Sequence, residues 1–559
     1  MRVLCVFAIL FALSNLAAAL EREAFTFTRY ELEVRVEPEQ QRLGVRGKIA
    51  LRNDSSIPQK DLALQISSSL DWRSIKLGGK TVPFVTEEYD SDLDHTGAFS
   101  EAIVSVPEVP AKGVIELEVG YEGVIALEAA RLTRMGVPAE KAKHTDWDRI
   151  SKSFTAVRGI GYVTWYPIAT EDASLSEGNS VAETIARWQA KEADTEMQVR
   201  FESTSAAEIL FSGSGSPTEH AGSRASKGAR FSMLGSGVSV PTFVIADYQR
   251  LTPKDLVTVY YLPAQQPAAE AYGEVAAQLD PLVPGESGVG SLEILGLPDA
   301  DAQPFVTEGM LLSPLESPIT NEAELSIVYG KARQCLRSPR PWIQEGLAHF
   351  AQAEFVEKQK GHQAALDYLK AHAAGLIEAE RQASAKPGRQ DSTGSLITAA
   401  NDLYLQTKAM YVWWMLKDML GGLPNEALLS YHAADDREIT YLERLIEKTG
   451  QRDLQWFFDD WVYHDHGLPD FRIDSVFSNP LSSGGFLATI TVENLGSAGA
   501  EVPLTLEMEG TAIRKRLEVR AKSKASIRVE LPSNLQQVTV NDGSVPESNS
   551  SEHSYKTKG

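Results

Sequence analysis

Residues 340–350 read Arg-Pro-Trp-Ile-Gln-Glu-Gly-Leu-Ala-His-Phe, "RPWIQEGLAHF". Pro341 suits the first position of a helix, where its missing N–H has no intrahelical role. Glu345 then falls near the helix start, where a carboxylate complements the positive end of the helix dipole. Ile343, Leu347 and Phe350 recur at helical spacing on one face, and Glu345, His349 and Gln352 recur on another. The pattern predicts a helix that buries the first set and presents Glu345 and His349 together.

The surroundings of this helix differ on its two sides. From about Phe25 to Asp247, segments such as "RYELEVRVEP", "VRGKIALRND" and "GVIELEVGYEG" alternate apolar and polar residues between turn signals, the mark of antiparallel strands. One helical interruption lies near "ALEAARLTRMGVPAEKAK". The texture changes near Leu256 to mixed strand and helix, and helices dominate up to about His464. From Phe471 short alternating strands return, in the manner of an immunoglobulin-like β-sandwich. The expected architecture is multidomain α+β. An N-terminal antiparallel β-domain spans 24–255, a central α/β-to-helical domain 256–468 and a C-terminal β-sandwich 469–541. The polar stretch 542–559 is expected to be a disordered tail.

The N-terminus has the three parts of a secretory signal: Met1-Arg2, an apolar run from Val3 to Leu13, and the small-residue site Ala17-Ala18-Ala19. Residues 1–19 are therefore expected to be removed, leaving a secreted or periplasmic protein. No later segment offers about 18 uninterrupted apolar residues, so no membrane span is expected. The formal net charge is −22, which lacks the cationic excess that nucleic-acid binding requires. Without Cys5 of the leader, Cys335 is the only cysteine. It reads as a packing residue rather than a catalytic thiol, since no histidine is near it in sequence.

Two stretches carry a family resemblance. "PWIQEGLAHFAQ" (341–352) resembles the Trp-Leu-Asn-Glu-Gly-Phe-Ala motif of the aminopeptidase-N-like zinc metallopeptidases, of gluzincin fold, in which the Glu is the third zinc ligand. "YLERLIEKTGQRDLQWFFDDWVYHDHGLPDFRIDSV" (441–476) is similar to the end of that family's catalytic domain and its entry into a β-domain. The resemblance implies that Glu345 occupies the third-ligand position. It also implies two histidines at i and i+4 on a preceding helix with a Glu as general base, and a zinc-bound water activated by the metal.

Those partners are missing. In the family's usual spacing, nineteen residues before Glu345, the ligand positions fall on Glu322 and Ser326 with Ala323 at the base. In a shorter register they fall on Tyr329 and Arg333 with Gly330 at the base. No histidine occurs between His220 and His349. "VTEGMLLSP" stands where the family holds the substrate's amino group, and lacks that motif. Gln406 stands where the family has its transition-state tyrosine, and Tyr404 lies two residues earlier, about 200° away on a helix. The expected outcome is an exported pseudopeptidase whose altered site comprises Tyr329, Gly330, Arg333, Glu345 and Gln406, acting by binding a peptide or protein. No catalytic residue and no cofactor are expected. Trp342 and Tyr404 are the candidate binding residues.

Two alternatives stand beside this reading. One is an active metallopeptidase with rearranged zinc ligands, Glu345 and His349 first, with His432, His464 or His466 as completing donors. The other is a cell-envelope glycan-binding protein using exposed aromatics. Tyr411, Trp413 and Trp414 are the aromatic cluster in question, and their helical spacing reads mainly as core.

Overall fold

The computed structural model describes residues 20–178, 180–218, 227–234, 239–254, 257–279, 292–336, 338–385, 395–397, 399, 402–464, 467–549 and 553–557. The expected leader lies outside them. The chain is mixed α+β with several separate sheets. The alternation seen in "FTFTRYELEVRVE" becomes strand Phe25–Glu37, with Tyr30, Leu32, Val34 and Val36 buried and Glu31, Glu33 and Arg35 outward. It sits inside an eight-stranded sheet, antiparallel to Arg42–Asn53 and parallel to Glu196–Ser203. The helical interruption forms as two short helices, Ala130–Arg134 and Ala139–Thr145.

A five-stranded sheet follows, in the order Gln249–Lys254, Val257–Tyr261, Leu292–Leu297, Met310–Pro314, Phe305–Thr307. Its three middle strands are parallel and its two edge pairings antiparallel. The boundary expected between 255 and 256 divides the antiparallel pair Gln249–Lys254 and Val257–Tyr261. The change of texture near Leu256 therefore falls inside one sheet, and Gln249–Lys254 belongs with the strands that follow it.

Against this sheet pack an upstream helix, Asn321–Cys335, and a motif helix, Pro341–Lys360, followed by His362–Ala385 and a tryptophan helix, Asp402–Leu420. The Thr320 hydroxyl caps the upstream helix by accepting the Ala323 N–H at 3.3 Å. Pro341 opens the motif helix as expected. Its lead-in is held by Arg340, whose Nε donates to Asp436 at 2.7 Å. Only residues 336–340 separate the two helices. That short connection lays the end of one beside the start of the next.

The C-terminal region contains a three-stranded sheet (Phe471–Pro480, Phe486–Asn494, Ser523–Leu531) and a four-stranded one. Its apolar face is continuous with the helical core. Trp461 Nε1 donates to the Gly499 carbonyl at 2.7 Å, and the Gly499 N–H donates to Asp460 at 2.7 Å. The tail departs from expectation. Ser554–Lys556 adds a strand beside Leu535–Val540, and Val545 and Glu547 are buried. Glu547 accepts the Phe471 N–H at 2.8 Å and pairs with His553 at 2.9 Å. A polar segment can order in this way because a sheet edge supplies backbone partners regardless of side chain.

Candidate functional site

Glu345 lies one turn into the motif helix, facing the last turns of the upstream helix. Tyr329 donates its hydroxyl to Glu345 Oε2 at 2.5 Å. Arg333 Nη1 lies 3.2 Å from Glu345 Oε1, and 3.3 Å from the Tyr329 oxygen. Tyr329 and Arg333 share a helix face at i and i+4, so both reach one carboxylate. The shorter of the two registers is thus the one that meets Glu345. In the longer register, Ser326 bonds to the Glu322 carbonyl of its own helix at 2.9 Å.

The pair is largely withdrawn from solvent. Burial alone would lower the Arg333 pKa, but the Glu345 carboxylate more than offsets it and the guanidinium is held charged, with Glu308 adding to the negative field. Glu308 lies in the "VTEGMLLSP" stretch. Burial and the neighbouring Glu345 push the Tyr329 phenol up, so it remains a donor. Gln344 on the motif helix donates to the Arg333 carbonyl at 3.3 Å, tying the two helices beside the ion pair.

Gly330 faces elsewhere. A Cβ placed there would meet Leu292 at 3.3 Å and Val306 at 3.9 Å. Gly330 is therefore an apolar contact between the upstream helix and the sheet.

His349 packs its ring 5.0 Å from that of Tyr329. Its Nδ1 is 2.9 Å from Gln352 Oε1, while Gln352 donates to the Leu325 carbonyl at 2.9 Å. The same Gln352 oxygen accepts from Tyr368 at 3.2 Å. Desolvation lowers the His349 pKa, with Glu345 opposing, so the ring is held neutral. Its Nε2 is buried without a hydrogen-bond partner. Gln352 shares the helix face of Glu345 and His349 in the sequence, whereas Tyr368 and Glu308 were not legible as site residues, since nothing local links them to Glu345.

The residues present do not fit the zinc of the resembled family. A guanidinium occupies the reach of Glu345, and it cannot give up its proton to become a donor. Among the described residues, three His, Cys or carboxylate side chains converge at His144, Asp299 and Asp301, a set that includes neither Glu345 nor His349. His464 is half exposed and bonded to Asp459 at 2.5 Å, His432 is exposed, and His466 lies outside the described residues.

Trp342 is 1% exposed, stacked on Trp413 at 5.9 Å and edge-on to Phe458. It is a core residue and offers no surface to a ligand, contrary to expectation. Tyr404 is also buried, its hydroxyl accepting from Lys408 at 2.7 Å, and Lys408 in turn reaches Glu380 at 3.1 Å. A buried lysine on one helix needs such a carboxylate partner, and the pair leaves Tyr404 fixed within the helix bundle. Gln406 is half-buried. Tyr411, Trp413 and Trp414 are all core. Cys335 is buried with its thiol 3.5 Å from the Lys331 carbonyl, and burial raises its pKa, so it lacks the thiolate character of a nucleophile.

No protein-family model matches the chain, and a search of curated proteins finds no significant match.

Proposed function

We propose that the chain is an exported protein of aminopeptidase-N-like architecture that binds a peptide or protein ligand without zinc-dependent hydrolysis. The observation that carries this reading is the 3.2 Å approach of Arg333 to Glu345, on two consecutive helices. A permanent cation there supplies the charge that the carboxylate needs. A dication at the same oxygen atoms would meet strong like-charge repulsion. Tyr329 completes the arrangement as a hydroxyl donor to Glu345. The export part of the reading rests on the apolar leader of residues 1–19.

The rearranged-ligand alternative has less support, because Glu345 is already engaged by Tyr329 and Arg333, and among the described residues no set of three donor side chains includes Glu345 or His349. The glycan-binding alternative loses its aromatic cluster to the core.

The test is to probe a peptide array with the purified protein and then incubate the same peptides with it. Saturable binding with intact peptides is the expected result. Cleavage that disappears in Glu345→Gln would overturn the reading, and binding to a glycan array alone would favour the envelope alternative.

A further inference from the structure

A cavity of about 320 Å³ lies away from Glu345, between the 127–154 region and the carboxyl end of the parallel strand Leu292–Leu297. Carboxyl ends of parallel strands are where open α/β sheets place their ligands. The volume is at the small end of the range for small-molecule sites, roughly 300–1,000 Å³. Leu127, Trp147, Phe154 and Leu297 give it an apolar body.

Its walls are fixed from both sides. The Gln303 N–H donates to the His144 carbonyl at 2.8 Å, and Trp147 Nε1 donates to the Gln303 carbonyl at 3.0 Å. Arg158, buried on Asp148, covers the Trp147 ring at 3.7 Å. Arg149 is held in register by two backbone bonds to Ala156, at 2.9 and 3.0 Å.

The charged groups of the lining are unequal. Asp299 is engaged twice: Oδ2 is 2.7 Å from His144 Nδ1, and Oδ1 accepts the Asp301 N–H at 3.1 Å. Lys143 is paired with Glu140. Arg149 differs: it lines the cavity half-buried, and no ion pair holds its guanidinium among the described residues. A guanidinium that lines an apolar cavity with no carboxylate of the protein paired to it is the group an anionic ligand would meet there. In a chain of net charge −22, this cation is not left over from a generally basic surface.

We infer that this cavity binds a small organic carboxylate with an aromatic or branched apolar body, its carboxylate on Arg149 and its body against Trp147 and Phe154. Guanidinium and carboxylate match as a planar fork. The inference is independent of the role given to Glu345.

Isothermal titration with indole-3-acetate and 4-methylpentanoate, each beside its neutral amide, tests it on the intact protein. At least one acid should bind saturably, and tighter than its amide by about tenfold or more, the worth of a charge-assisted hydrogen bond. Arg149→Met should remove that difference and Arg149→Lys should keep part of it. Ala302→Trp, which fills the cavity without touching charge, should abolish binding of acid and amide alike. The inference is overturned if neither acid binds at millimolar concentration, if acid and amide bind equally, or if Ala302→Trp leaves binding intact. The wild-type comparison stands even where a variant fails to fold.

Discussion

Arg333 and Glu345 meet with only 13% and 16% of their side chains exposed. Removing one partner of such a pair leaves a buried charge, at a cost of about 3–5 kcal/mol. Removing both should cost much less. Urea unfolding of Glu345→Gln, Arg333→Met and the double variant should therefore give a coupling energy above about 1 kcal/mol; additive losses would mean that the contact contributes nothing specific. Rebuilding the zinc motif should fail on Gly330. In the variant Tyr329→His, Gly330→Glu, Arg333→His, the new carboxylate enters the contact with Leu292 and Val306, and an unpaired buried charge costs several kcal/mol. Thermal unfolding should show a lowered midpoint and a peptidase assay no turnover, whereas robust turnover would show the scaffold still competent. The pairing of Arg333 with Glu345 was legible in the sequence only as one of two registers. The choice between them depends on the length of the 336–340 connection, and periodicity on either helix says nothing about that length.

The motif helix and the tryptophan helix pack at Gly346. A Cβ there would lie 2.7 Å from Trp413 Cδ1 and 2.8 Å from the Ala409 Cβ. Gly346→Ala gains at most about 1 kcal/mol of helix propensity, while overpacking of this kind costs about 1–3 kcal/mol. The expected outcome is a net loss of stability in guanidinium unfolding; an unchanged or raised midpoint would show that the two helices part easily. The motif helix itself was plain from Pro341 and the spacing of Ile343, Leu347 and Phe350, and all three are buried. The fate of Trp342 was not plain. The sequence offers it as a candidate binding residue, but the close approach permitted by Gly346 draws it onto Trp413 and into the core. Strand Gln249–Lys254 was misplaced for a related reason: alternation identifies a strand but not the sheet it joins.

Across the whole molecule, the C-terminal tail closes on the body through His553. The buried Glu547 carboxylate, 2.9 Å from its Nε2, raises the His553 pKa above its ordinary 6.5 against the opposing effect of burial. A raised folded-state pKa contributes stability fully below pH 6.5 and loses it as pH rises through the folded value. Unfolding midpoints measured from pH 5.5 upward should therefore fall more steeply for the wild type than for His553→Gln; parallel profiles would show that the pair is not coupled to stability. This clasp was invisible in a polar, low-hydrophobicity sequence, as was the cavity wall formed by His144 and Asp299, which lie far apart along the chain. The central claim concerns Glu345: its counter-charge is Arg333, where the resembled family has zinc. Elemental analysis of the purified protein, after incubation with zinc and exhaustive dialysis, tests it most directly. The account predicts no retained zinc that depends on Glu345, so that wild type and Glu345→Ala give the same metal content. Stoichiometric zinc in the wild type, lost in Glu345→Ala, would contradict it.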